Sequence, residues 1–198
     1  MKVSKKSRDF EFLKRFFDFT TALILTALMA LPLIIIAVSV KLTSPGPVIH
    51  WSHRVGKNNQ IFSMPKFRTM HIGAPDVATH LFEDVNIYLT PVGSFLRETS
   101  FDELPQLWSV LKGDMSLVGP RPALFNQDDL IKLRTERQIS ELLPGITGWA
   151  QINGRDDLSI SIKVSYDEYY LKNKSFILDM KILWNTIPKV IKQDGVAR

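Results

Sequence analysis

The residues best suited to chemistry fall in one run, Leu89 to Pro122, LTPVGSFLRETSFDELPQLWSVLKGDMSLVGPRP. At its centre stand two adjacent carboxylates, Asp102 and Glu103. One account is purely structural: Ser100-Phe101-Asp102-Glu103 fits a capping box, with Glu103 reaching back to its cap. In a variant of it Asp102 is the cap, and Pro105 then falls in the first helical turn, where a missing N–H is tolerated. Acids at that end also complement the helix dipole. The functional account is that free N–H groups at a helix start take phosphate oxygens. A carboxylate beside them can bind a divalent cation or attack phosphorus. Arg97, upstream, and Arg121, inside Gly119-Pro120-Arg121-Pro122, suit bidentate phosphate contact. Arg155, Lys66 and Arg68 add positive charge. Pro120 and Pro122 restrict the backbone on both sides of Arg121, so the turn is either a rigid corner or a mount for a ligand-binding side chain. Singly, each basic residue reads as a solvated surface group. Together they favour an anionic substrate.

Other chemistries have little support. With no cysteine among 198 residues, disulfide scaffolds, cysteine zinc sites, iron–sulfur clusters and thiol catalysis are excluded. His50 and His53 lie three apart, which in an extended segment points them to opposite faces, and no third ligand is obvious. There is no Walker A loop, Gly-x-Gly-x-x-Gly fingerprint or Gly-x-Ser-x-Gly elbow.

The elements around this run are organised by charge. The chain carries a net +5 and a mean hydropathy of +0.01, averages that suggest a soluble basic domain. Met1 to Asp18 carries +3, Phe19 to Val40 has no charge in 22 residues, Lys41 to Pro75 carries +5, and the rest carries −3. The excess positive charge therefore flanks one apolar segment, FTTALILTALMALPLIIIAVSV. As a helix it reaches roughly 33 Å, enough to cross a hydrocarbon core of about 30 Å. It is too long for a signal-peptide core and no small-residue cleavage site follows. Both flanks are basic, which favours keeping both ends in the cytoplasm, and Pro32 near its middle should kink it. These features leave a spanning helix and a re-entrant hairpin both open.

After the membrane segment SPGP forces a break. Val48 to His53 and Ile61 to Met64 read as strands joined by a turn at Gly56-Lys57-Asn58-Asn59. Helices are expected over Pro75 to Glu83, Pro91 to Glu98 with Thr90 as cap, Ser100 to Leu111 with a stop at Lys112-Gly113, Asn126 to Leu143, Lys163 to Lys172 and Phe176 to Lys192. The fold class is α+β and mainly helical. It has one N-terminal membrane helix kinked at Pro32 (residues 1–43) and a compact cytosolic domain with a small strand hairpin (residues 44–198).

The ordered motifs KRFFDF, SPGPV, KFRTM, the Leu89 to Pro122 run, PGITGWAQINGR, YDEYY and SFILDMKILWNT cover nearly the whole chain. In them the chain resembles a bacterial sugar transferase of the small monotopic phosphoglycosyl transferase family. The resemblance implies transfer of a sugar phosphate from a UDP-sugar to undecaprenyl phosphate at the cytoplasmic face of the bacterial inner membrane. It implies a re-entrant helix with its bend at Pro32, Asp102 as a nucleophile forming a phosphosugar–enzyme intermediate with release of UMP, Mg²⁺ beside it, and Glu103 assisting metal placement or acceptor deprotonation. Arg97, Arg121 and Arg155 match positions associated with phosphate and nucleotide contact. Many relatives bend the helix at Ser-Pro where this chain has Leu31-Pro32, so the serine hydroxyl that would help satisfy freed backbone groups is missing.

An N-acetylated amino sugar is the expected donor. Anionic lipid headgroups are expected partners for the basic Lys41 to Pro75 stretch, a homo-oligomer is left open, and nucleic acid is not expected. Two rivals stand beside this reading. One is a transferase in which the carboxylates only hold metal and the lipid phosphate attacks directly. The other is a basic membrane adaptor with no catalysis.

Overall fold

The computed structural model describes residues 5–75, 84–154 and 158–192. The helix expected over Pro75 to Glu83 and the candidate Arg155 fall outside the described residues, apart from Pro75 itself.

The apolar segment forms two helices, α1 (Lys5–Leu28) and α2 (Ala30–Thr43), with a 62° bend between them. The direction change is at Met29 (φ −89°, ψ 4°), three residues before Pro32. Proline supplies no N–H to the Leu28 carbonyl and its ring crowds that carbonyl, so the strain is released one turn back. Bonds on either side survive: Met29 N donates to Leu25 O and Leu33 N to Met29 O, both at 2.8 Å. No single described helix is long and apolar enough to cross a membrane, but the bent pair meets that test by length and composition. Leu28, Leu31, Ile34 and Leu42 are 60 to 80% exposed along it.

Strands β1 (Ile49–Val55) and β2 (Ile61–Phe67) form the expected hairpin, in register from Ile49 opposite Phe67 to Val55 opposite Ile61. Asn58 and Asn59 take positive φ in its turn, a conformation asparagine tolerates better than most residues. β2 is an edge strand, which explains why Pro65 is tolerated within it. β3 (Ser116–Val118) and β5 (Gly145–Thr147) pair in parallel, and β4 (Ala123–Leu124) joins β1 on the side away from β2. None of these three is legible in the sequence, because two- and three-residue strands carry no periodicity to detect.

The helices follow: α3 (Gly93–Glu98), α4 (Leu107–Lys112), α5 (Asp128–Glu136), α6 (Trp149–Ile152), α7 (Ile160–Asn173) and α8 (Phe176–Lys192). Three expectations are corrected. Ser100 to Leu111 is a 3-10 turn, Phe101–Gln106, running into α4. Asn126 to Leu143 is broken after α5 by Gln138 at φ 61°. Thr90 does not cap α3, since its hydroxyl goes to the Thr69 carbonyl. Gly113 closes α4 as expected, at φ 95°, with its N–H shared between Ser109 and Val110 carbonyls.

Both arms of the bent pair pack on this body. Ala22 of α1 joins the main core with Leu107, Val110, Met115, Tyr170 and Ile182. Ile36 and Val40 of α2 pack with Phe67 and Leu96. Polar groups fix the same contact: Asp18 accepts from Ser116 Oγ at 2.6 Å, and Lys14 reaches Asp179 at 2.7 Å, which also accepts from the Tyr170 hydroxyl. Burying carboxylates without such partners would cost several kcal/mol each.

Candidate functional site

Asp102 and Glu103 lie on the 3-10 turn, which begins directly after Ser100 in left-handed backbone (φ 58°, ψ 18°). A capping residue needs extended backbone, and no side-chain cap bond forms here. Both purely structural accounts of the pair fail accordingly. Glu103 points to Arg121, not back to Ser100: Arg121 Nη2 and Nη1 donate to its two oxygens at 2.6 and 3.3 Å. Asp102 is buried.

The turn packs against β2, which carries Lys66 to the carboxylates. In the hairpin register even-numbered residues share a face, on which Ser52 and Met64 are buried. Lys66 and Arg54 both project from it. Burial pushes the Asp102 carboxyl up to about 7, and the Glu103 charge adds to this, while Lys66, Arg97 and Arg121 pull the other way. Burial likewise lowers Lys66, and Arg54 adds to that, against the attraction of Asp102 and Glu103. Four cations from four parts of the chain thus act on one carboxylate pair or on its lysine.

Arg68 is placed differently. Only 6% exposed, it donates from Nε to Pro47 O at 2.7 Å and from Nη2 to Ser44 O at 3.0 Å. Its guanidinium secures the SPGP turn where the chain leaves α2. Pro120 and Pro122 are buried and flank Arg121 as the sequence suggests. Arg54 was counted in the sequence only as one charge of a basic stretch. Its signal lay in the hairpin: once the turn fixes register, parity places Arg54 and Lys66 on the same face.

Among the described residues no group of three or more His, Asp or Glu could hold a metal ion. Two adjacent carboxylates do fit Mg²⁺ when substrate phosphates complete its shell, the usual arrangement for that ion. Chemically, the site offers a carboxylate nucleophile or base in a cation-rich surround suited to a diphosphate.

Known proteins similar to this chain are named as sugar or sugar-phosphate transferases. The family model described as bacterial sugar transferase matches residues 10–193. An uncharacterized sugar transferase, EpsL, of Bacillus subtilis is 44% identical over 188 residues, covering 94% of this chain and 91% of that protein. The UDP-N-acetylgalactosamine-undecaprenyl-phosphate N-acetylgalactosaminephosphotransferase of Aeromonas hydrophila is 39% identical over 94% of this chain and 45% of its own length. The UDP-glucose:undecaprenyl-phosphate glucose-1-phosphate transferase of Caulobacter vibrioides is 38% identical over 92% of this chain and 71% of its own length. The chain therefore spans nearly all of the first relative and less than half of the second.

Proposed function

The chain belongs to the bacterial sugar transferase family, and from that premise we propose that it transfers a sugar-1-phosphate from a UDP-sugar to undecaprenyl phosphate, in the assembly of a bacterial surface glycan. The observation that carries this reading is a buried carboxylate, Asp102, surrounded by Lys66, Arg97 and Arg121 beside an arginine-locked Glu103.

Asp102 attacks the sugar-side phosphorus of the donor. A bond forms from its Oδ to phosphorus, the bond from phosphorus to the bridging oxygen breaks, and UMP departs with that electron pair. A phosphate oxygen of the lipid then attacks the same phosphorus and expels the Asp102 carboxylate. One site serves a soluble donor and a lipid acceptor in turn. Arg97, Arg121 and Lys66 offset the repulsion between a carboxylate and a diphosphate and stabilise the charge on the leaving UMP. Asp102 and Glu103 would hold Mg²⁺, which supplies further charge neutralisation at the phosphoryl oxygens. Arg155 joins them as a nucleotide contact. The bent α1–α2 pair lies re-entrant in the cytoplasmic membrane, which sets the site at headgroup depth, and the basic residues of Lys41 to Pro75 meet anionic headgroups.

We assign an N-acetylated amino sugar to the donor. Relatives are named for galactose, glucose and N-acetylgalactosamine, so a donor panel scored by UMP release tests this directly. For the covalent step, the protein is incubated with donor and Mg²⁺ without lipid and its intact mass measured. A gain equal to one sugar phosphate, absent in Asp102→Asn, supports it. No gain with a donor that is turned over favours direct attack by the lipid phosphate.

A further inference from the structure

Three consecutive carbonyls in the turn that carries Arg121 each accept from a different element. Pro120 O takes Gly145 N, at the start of β5, at 2.8 Å. Arg121 O takes Arg134 Nη1, from α5, at 2.8 Å. Pro122 O takes Arg54 Nη1, from β1, at 3.3 Å. The two prolines offer no N–H, and Pro122 keeps Arg121 extended. The peptide frame around Arg121 is therefore held through these three oxygens by three separate elements.

Arg134 is itself anchored. Its Nε and Nη2 donate to Asp167 Oδ2, on α7, at 3.0 and 2.7 Å, with the two side chains 12% and 2% exposed. Such a pair is a poor source of stability, because desolvating two charges offsets their attraction. Burial raises the Asp167 carboxyl even against the pull of Arg134. The third donor of Arg134 gives the pair another use, since it ends on the residue that forks onto Glu103.

We propose that Arg134, oriented by Asp167, is a positioning residue for the transfer reaction: it fixes the Arg121 backbone so that the Arg121 guanidinium meets Glu103 and the donor diphosphate together. This rests on the transferase reading above. Neither Arg134 nor Asp167 touches substrate. They act through Arg121, and their removal matters only while Arg121 is present.

The test is a double-mutant cycle on the detergent-solubilised full chain, read by UMP release and by Tm. Arg134→Met/Asp167→Leu removes both charges at similar volume and leaves neither buried alone. We expect kcat/KM for the donor to fall about 10- to 100-fold, mainly through KM. In the Arg121→Ala background the same change should cost less than about threefold, while the change in Tm is equal in both backgrounds. Arg134→Lys, which keeps the charge but replaces the planar guanidinium spanning Asp167 and the Arg121 carbonyl with a single ammonium, is the second variant and should behave the same way. Equal loss of activity with and without Arg121 overturns the positioning role alone. A wild-type chain that releases no UMP from any donor overturns the transferase reading and this role with it.

Discussion

Asp102 and Glu103 are neighbours in the chain and are held in opposite ways. Arg121 grips both oxygens of Glu103, at 2.6 and 3.3 Å. Asp102 is only 9% exposed, and its carboxyl is pushed up to about 7, by burial first and by the Glu103 charge second. A fixed, paired carboxylate next to one that burial has made a better base and nucleophile is how a site separates two roles among identical functional groups.

Stability should record that burial. Native Asp102 keeps its proton to about pH 7, whereas the unfolded chain releases it near 3.8. Between those values the native state binds more protons, so stability falls as pH rises, and above about 7 the loss is complete. Asp102→Asn removes the penalty. Without donor and with a chelator present, the variant should be more stable than wild type at pH 8, by as much as a few kcal/mol, and no different near pH 4. Thermal melts at the two pH values check this, and transfer should be abolished in the same protein. A variant less stable than wild type at pH 8 would mean that Asp102 is a net structural asset.

Activity should follow the same group. A carboxylate attacks only when ionised, so on the proposed mechanism UMP release in the absence of lipid should climb from pH 5.5 and level off above about 7. Added Mg²⁺ favours the carboxylate and should move the rising limb to lower pH. A profile flat from pH 5.5 to 8.5 argues that Asp102 does not titrate on the path.

Ser100 offers a test of the backbone that presents the pair. It sits at φ 58°, where a side chain is strained and glycine is not. Ser100→Gly should leave transfer intact and change stability by less than about 1 kcal/mol in either direction. Ser100→Val should lower both, because a β-branched residue forces the turn open. Melting temperature and UMP release on the two variants distinguish a backbone requirement from a need for the hydroxyl.

How far the sequence led is clear from particular residues. The hairpin, α7 and α8 were legible because strand alternation and helical periodicity extend over several residues in each. The Asp102, Arg97, Arg121 and Lys66 cluster was legible as a set of residue types. Its local geometry was not: Ser100 in left-handed backbone defeats a capping-box pattern that the letters fit well. Arg68 shows a structural use the letters do not reveal, since a buried arginine serving the Ser44 and Pro47 carbonyls looks in sequence like one more cation for an anion. The Arg134–Asp167 pair spans 33 positions, and no local pattern announces a contact of that kind.

The bend at Met29 carries the strongest prediction about the membrane. Pro32 leaves the Leu28 carbonyl without its helical donor, and α2 turns 62° from α1. Only with that turn do Ile36 and Val40 reach Phe67 and Leu96 while Ala22 stays in the core with Val110. Pro32→Ala restores the N–H and removes the ring, so one continuous helix becomes the better solution for residues 9–43. The 22 uncharged residues of such a straight helix, Phe19 to Val40, are long enough to cross the bilayer, which would carry the end bearing Asp9 to the far side. The chain has no cysteine, so Asp9→Cys gives a single thiol for a membrane-impermeant maleimide applied to spheroplasts. In the otherwise native chain this thiol should stay unlabelled until the cells are lysed. With Pro32→Ala it should label from outside, and UMP release should fall even though Asp102 and Glu103 are untouched. Unchanged labelling together with full activity would show that packing of α2 on Phe67 and Leu96, not the proline, sets the bend.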